Sequence, residues 1–146
     1  MKIGYFIGHF PYINHLHQDD YIEKYAHGGV ETAAYYLALK MANNGEDVQV
    51  FTTSMDDDDS LEKYGNLKIH RYGTSFKVAS ANVSFKLLRE PLNHSLDLVH
   101  SHSPIPYSDI SAYRHSRKNN LPMVMTYHFD GQETGGSFIR NSGVFL

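Results

Sequence analysis

Lys2-Ile3-Gly4-Tyr5-Phe6-Ile7-Gly8 and Asp47-Val48-Gln49-Val50-Phe51-Thr52-Thr53 are two short apolar, β-prone runs that bracket a helical stretch. Between them, Val30, Ala33, Ala34, Leu37, Ala38 and Met41 recur at the spacing of one helix face. Gly28-Gly29 stands before that stretch and Asn44-Gly45 after it, where a C-terminal glycine stops a helix. Strand, helix, strand in this order is a βαβ unit, with a parallel pair and a right-handed crossover.

The same alternation continues outward. Leu67 to Tyr72 reads as a third strand, Leu96 to His102 as another, Ser108 to Asn119 as a helix and Pro122 to His128 as a further strand. Phe76 to Leu92 reads as a helix, carried by Val83, Leu87 and Leu88 and closed by Pro91. Asp56 to Asp59 is a run of like charge, expected as an exposed loop and not as a metal site. The fold expected is α/β, Rossmann-like, with a mainly parallel sheet and helices on both faces. After Asp130 the pattern dissolves among Gly131, Gly135, Gly136 and Gly143, and the end at Leu146 reads as a cut inside a larger protein.

The 146 residues suit one domain, and 41% hydrophobic with 20% charged residues suits a packed core. A net charge of −3 with scattered Lys and Arg argues against a nucleic-acid partner. With no cysteine, a disulfide framework, a zinc-thiolate site and a cysteine nucleophile are excluded. The N-terminal run is broken by His9 and Pro11 and reads as a strand, not a signal peptide. No apolar stretch reaches the roughly 20 residues that cross a bilayer. A cytoplasmic protein is expected, and the sequons at Asn82 and Asn93 are then chance matches.

Four features carry candidate chemistry. Gly28-Gly29 at a helix mouth lets a phosphate approach the backbone, although neither dinucleotide-fingerprint nor P-loop spacing is present; a plain tight turn is the alternative. His100 and His102, two apart at a strand's carboxyl end, share one side of that strand. They read as substrate contacts, as one packed and one ligand-facing residue, or as zinc ligands, for which Asp109 and His115 are the next partners. His128, in Tyr127-His128-Phe129-Asp130, suits hydrogen bonding to a hydroxyl or proton transfer, or a structural strand end. The loop from His9 to His27, longer than the usual βα connection, suits sugar stacking and hydrogen bonding about as well as simple solvation.

In that order, Phe10-Pro11, Gly28-Gly29-Val30-Glu31-Thr32, Val48-Gln49-Val50-Phe51-Thr52, Asp97-Leu98-Val99-His100-Ser101-His102-Ser103 and Thr126-Tyr127-His128-Phe129-Asp130 resemble the family-4, "group 1" glycosyltransferases of GT-B fold across roughly residues 1 to 130. The resemblance implies an N-terminal, acceptor-side domain of a retaining enzyme that moves a sugar from a nucleotide-sugar donor to a saccharide, lipid or small-molecule acceptor. It places Gly28 and Gly29 against the donor diphosphate and His128 over the donor sugar as the catalytic residue. His102, Glu31, Phe10 and Asp130 fall to the acceptor side. It implies no metal, no cofactor and no covalent nucleophile. The donor-binding half, a second Rossmann-like domain with a basic pair and paired glutamates, lies outside this chain and becomes its partner, so no turnover is expected from the chain alone. A lipid-linked acceptor would add a peripheral seat at the inner membrane face. A non-catalytic carbohydrate- or nucleotide-binding module and a histidine-based metal hydrolase are the alternatives.

Overall fold

A computed structural model describes residues 1–17, 28–79 and 81–128. Its elements are β1 (Lys2–Phe6), α1 (Gly29–Asn43), β2 (Asp47–Thr53), β3 (Ser60–Tyr64), β4 (Leu67–Tyr72), β5 (Phe76–Val78), β6 (Ala81–Val83), β7 (Leu98–Ser103), α2 (Pro106–Asn119) and β8 (Met123–Tyr127). Short 3-10 turns lie at Ile13–His15 and Glu90–Asn93. Six strands form one sheet in the order β3-β4-β2-β1-β7-β8. Every neighbouring pair is parallel except β3 with β4. The α/β class with helices on both faces is therefore observed.

Alternation along β1 separates the two layers. Ile3, Tyr5 and Ile7 pack with Ala34, Ala38 and Ala42 of α1 and with Val48, Val50, Leu67 and Ile69. Phe6 faces the other way, with Phe51, Leu87, Leu96, Val99 and Ala112 of α2. The alanines on the inner face of α1 let its backbone lie close to the sheet, which a period-3.6 apolar stripe accomplishes with little side-chain entropy lost. α1 ends in a Schellman motif: Glu46 N–H donates to Met41 C=O at 3.2 Å and Gly45 N–H to Ala42 C=O at 3.0 Å. Gly45 takes φ +96°, a conformation that favours glycine. α2 begins on Pro106 and ends on Asn120 at φ 51°. That left-handed cap explains why Asn119-Asn120 stops it.

One expectation is overturned, and one strand was not foreseen. Phe76 to Leu92 is not a helix: Phe76 pairs with Val83 across an antiparallel hairpin, and turns follow. Asn82 Nδ2 donates to Ser54 C=O at 3.0 Å, and Leu87 N–H donates to Ser84 Oγ at 3.4 Å. The first of these bonds and that of Ser75 N–H to Val83 C=O at 2.7 Å hold Asn82 and Val83 in the hairpin and against the end of β2. Strand β3 was unassigned because its inward position 62 is a glutamate. The Glu62 carboxylate accepts from Nε of the fully buried Arg71, so a charge occupies a core-facing register. The remaining boundaries fall within a few residues of those expected, and Asp56 to Asp59 are exposed.

Candidate functional site

Strand order reverses direction at β1. From β1 the chain moves through α1 to β2 on one side, while β7 lies on the other and leads through α2 to β8. In open α/β sheets a crevice forms outside the carboxyl ends of the strands at such a switch point. The end of β1 runs on into Ile7-Gly8-His9-Phe10, and the end of β7 is His102-Ser103. Gly8 is tightly enclosed: a Cβ there would sit 2.5 Å from Ile105 Cδ1. Its carbonyl accepts from Thr52 Oγ1 at 3.1 Å and Thr53 Oγ1 at 2.5 Å, which pins the mouth of β1 to the end of β2.

Parallel pairing of β7 with β8 sets His102 opposite Thr126 and His100 opposite Val124. Side chains of His100, His102, Thr126 and His128 therefore share one face, and each histidine of β7 reaches diagonally to β8. His100 Nε2 lies 2.7 Å from Thr126 Oγ1, and His102 Nδ1 lies 3.0 Å from His128 Nε2. The rings form a stack, with centroids 4.4 Å apart from His100 to His102 and 5.3 Å from His102 to His128. Tyr5 of β1 closes it from behind, 5.6 Å from His102. Burial, with the neighbouring imidazoles of His100 and His128, pushes the His102 pKa down to about 3. Burial also lowers His100. Both are therefore neutral imidazoles at physiological pH.

The opposite face of β7 is structural. Ser101 Oγ and Ser103 Oγ both donate to the Asp109 carboxylate, the latter at 2.8 Å, which fixes the first turn of α2 to the strand. Asp109 is thereby a tether, and His115 is buried under Phe6 with the ring centroids 5.9 Å apart. Neither stands beside the histidine stack, as a zinc set with His100 and His102 would require. Among the described residues, no three His, Cys, Asp or Glu side chains form a group that could hold a metal ion.

Gly28 is the N-cap of α1 and has no side chain with which to cap it. Thr32 Oγ1 donates back to Gly28 C=O at 2.8 Å. A Cβ on Gly29 would meet nothing within 4 Å, whereas one on Gly28 would lie 3.0 Å from Glu31 Oε2. The room at Gly29 and the partial positive charge of a helix start suit an anionic group. Glu31 also acts electrostatically on His9, whose pKa is lowered by burial and partly restored by that carboxylate. His9, read in the sequence only as the start of a loop, thus lies within electrostatic reach of the start of α1; its place directly after β1 was the available signal.

Phe10 does not present its ring to a ligand. It is 2% exposed and packs in the α1-side core, edge-on to Tyr35 at 6.2 Å. What the sequence missed is how that segment is held. Arg71 Nη1 donates to Phe10 C=O at 2.8 Å and Nη2 to Pro11 C=O at 2.7 Å, while its guanidinium lies 3.7 Å from the Tyr12 ring centroid. Asp130 and the loop beyond residue 17 as far as His27 lie outside the described residues. A cavity of about 400 Å³, lined by His94, Leu96, Asn119 and Leu121 among others, opens at the amino ends of β7 and β8, opposite the ends that carry His102 and His128.

The Glycosyltransferase Family 4 model matches residues 27–142. The chain belongs to glycosyltransferase family 4. It is also 28% identical over 118 residues to the O-antigen chain mannosyltransferase C of Escherichia coli, an alignment covering 80% of this chain and 31% of that protein. The chain thus spans about a third of the length of the curated relative it matches. Among the described residues, no helix is long and apolar enough to cross a membrane.

Proposed function

We propose that this family-4 chain is the N-terminal, acceptor-side half of a retaining GT-B glycosyltransferase. It acts together with a donor-binding half of the same protein to move a hexosyl group from a nucleotide sugar to a saccharide or lipid-linked acceptor in the cytoplasm. The observation that carries the reading is the pairing of His102 with His128 at the carboxyl ends of β7 and β8, beside the switch point where such sheets bind ligands, together with Gly28-Gly29 at the start of α1.

In this reading the start of α1 receives the donor diphosphate at Gly28 and Gly29, where backbone N–H groups and the helix dipole stabilise negative charge. That charge grows on the leaving group as the glycosidic bond breaks, so the site favours the transition state over the ground state. His128 lies over the donor sugar and hydrogen-bonds a hydroxyl of it. Glu31, Asp130 and His102 belong to the acceptor side, His102 through its buried contact with His128 and Phe10 through its backbone and packing. No metal, cofactor or covalent enzyme nucleophile takes part, and Asp56 to Asp59 stay solvated.

The test is transfer by a protein that joins this chain to its donor half, assayed against a panel of nucleotide sugars. The relative's description as a mannosyltransferase makes mannosyl nucleotides the first donors to try. Transfer or slow hydrolysis of one donor, lost on His128→Ala, is expected. Uptake of no nucleotide sugar across the panel would overturn the reading.

A further inference from the structure

His102 is 1% exposed, and its Nε2 atom is buried with no hydrogen-bond partner among the described residues. Its other nitrogen, Nδ1, lies 3.0 Å from His128 Nε2. One neutral imidazole carries one N–H, so of these two nitrogens one donates and the other accepts. With the His102 proton on Nε2, a buried N–H would be orphaned. With it on Nδ1, the proton makes the bond to His128 and only a lone pair is left unmatched. Orphaned buried N–H groups are the rarer and costlier outcome.

We infer that His102 is a positioning residue for His128: as the Nδ1–H tautomer it donates to His128 Nε2 and thereby holds His128 in the Nδ1–H form. The stack fixes the donor's ring plane. Tyr5 and His100 lie against His102, and His100 is itself tied to Thr126. Neutral imidazole in water favours the opposite, Nε2–H form, so the arrangement reverses an intrinsic preference. His128 is half-buried, and with Nε2 engaged, Nδ1–H is the group it can offer to a ligand oxygen. His128 therefore meets that oxygen as a hydrogen-bond donor and does not accept a proton from it. The tautomer is a property of this chain alone, whereas its use on a donor sugar rests on the glycosyl-transfer reading.

The experiment is nitrogen-15 NMR of the histidine side chains of this chain near neutral pH. In the wild type, His128 should show the Nδ1–H form with an about fivefold or greater preference, because the reverse arrangement keeps the same hydrogen bond but leaves a buried His102 N–H unpaired. A coupling across the bond should link His102 Nδ1 to His128 Nε2. His102→Phe keeps an aromatic ring in the stack and removes the donor, so His128 should revert to mainly Nε2–H. His102→Asn, whose side-chain amide takes the place of the Nδ1–H, should restore the wild-type form. A protonated Nε2 on His128 in the wild type would overturn the inference without needing any variant to fold. So would an unchanged His128 tautomer in folded His102→Phe. In the protein with its donor half, His102→Phe should lower kcat more than it raises KM. The tautomer result with no nucleotide-sugar turnover in the wild type would instead count against the functional reading alone.

Discussion

At the residue scale, two side chains separate chemistry from support. His128 lies at a strand end, half-buried and hydrogen-bonded to His102. His128→Ala should lower turnover by about a hundredfold or more, the usual loss when one positioned hydrogen-bond donor is removed from a site. Its unfolding free energy should change by less than about 1 kcal/mol, the ordinary worth of one hydrogen bond. Paired kinetics and denaturant titration would check both; equal losses would make the residue structural. Arg71 should behave in the opposite way. It is fully buried, paired with Glu62, bonded to two loop carbonyls and stacked on Tyr12. Arg71→Leu should destabilise the chain by about 3 kcal/mol, since it leaves a partly buried carboxylate and two carbonyls without their partner. Arg71→Lys should recover only part of that loss because an ammonium lacks the planar fork.

At the element scale, two glycines give contrasting predictions. A Cβ on Gly73 would stand 2.0 Å from the Asp57 carbonyl oxygen, a backbone atom that cannot simply rotate away. Gly73→Ala should therefore cost more than about 2 kcal/mol by forced displacement of the acidic loop from β4. That loop is further anchored by Asp59, which accepts from Gly73 N–H at 2.8 Å and from Lys86 at 2.7 Å. Gly29→Ala should leave stability unchanged or slightly raised, because the site is open and alanine favours helix. Under the proposed function it should nonetheless weaken nucleotide-sugar binding, and a calorimetric titration would read that split.

The elements also differ in how far the sequence betrayed them. β1, α1 and β2 were legible because apolar periodicity, the C-terminal Gly45 and β-branched runs agree. The segment from Phe76 to Leu92 was not, since Val83 and Leu87 are buried at a helical spacing for reasons that lie in distant contacts. Gly28-Gly29 and the three strand-end histidines were visible as candidates. The His102–His128 contact was not, because it depends on the register between β7 and β8, which no local pattern encodes.

At the scale of the whole molecule, buried neutral histidines tie stability to pH. Burial, with His94, Lys68 and Lys63 nearby, pushes His70 down to about 4, and His102 is held at about 3. Burial also lowers His9, His94, His100 and His115. Below the ordinary value of 6.5 the unfolded chain binds protons that the folded chain refuses. Stability is thus fully present above about pH 7 and falls as pH drops from 6.5 toward about 4. Denaturant midpoints measured across that window should decline steadily. His70→Gln, which keeps a polar partner for Gln49, should shallow the slope; a flat profile in the wild type would contradict the neutral, buried state of these rings. The central claim, that the crevice at the β1–β7 switch point serves glycosyl transfer, is tested most directly by assaying the protein with its donor half for nucleotide-sugar-dependent transfer, wild type against His128→Ala. The account predicts transfer in the wild type and its near-complete loss in a variant that remains folded; undiminished transfer by folded His128→Ala would contradict it.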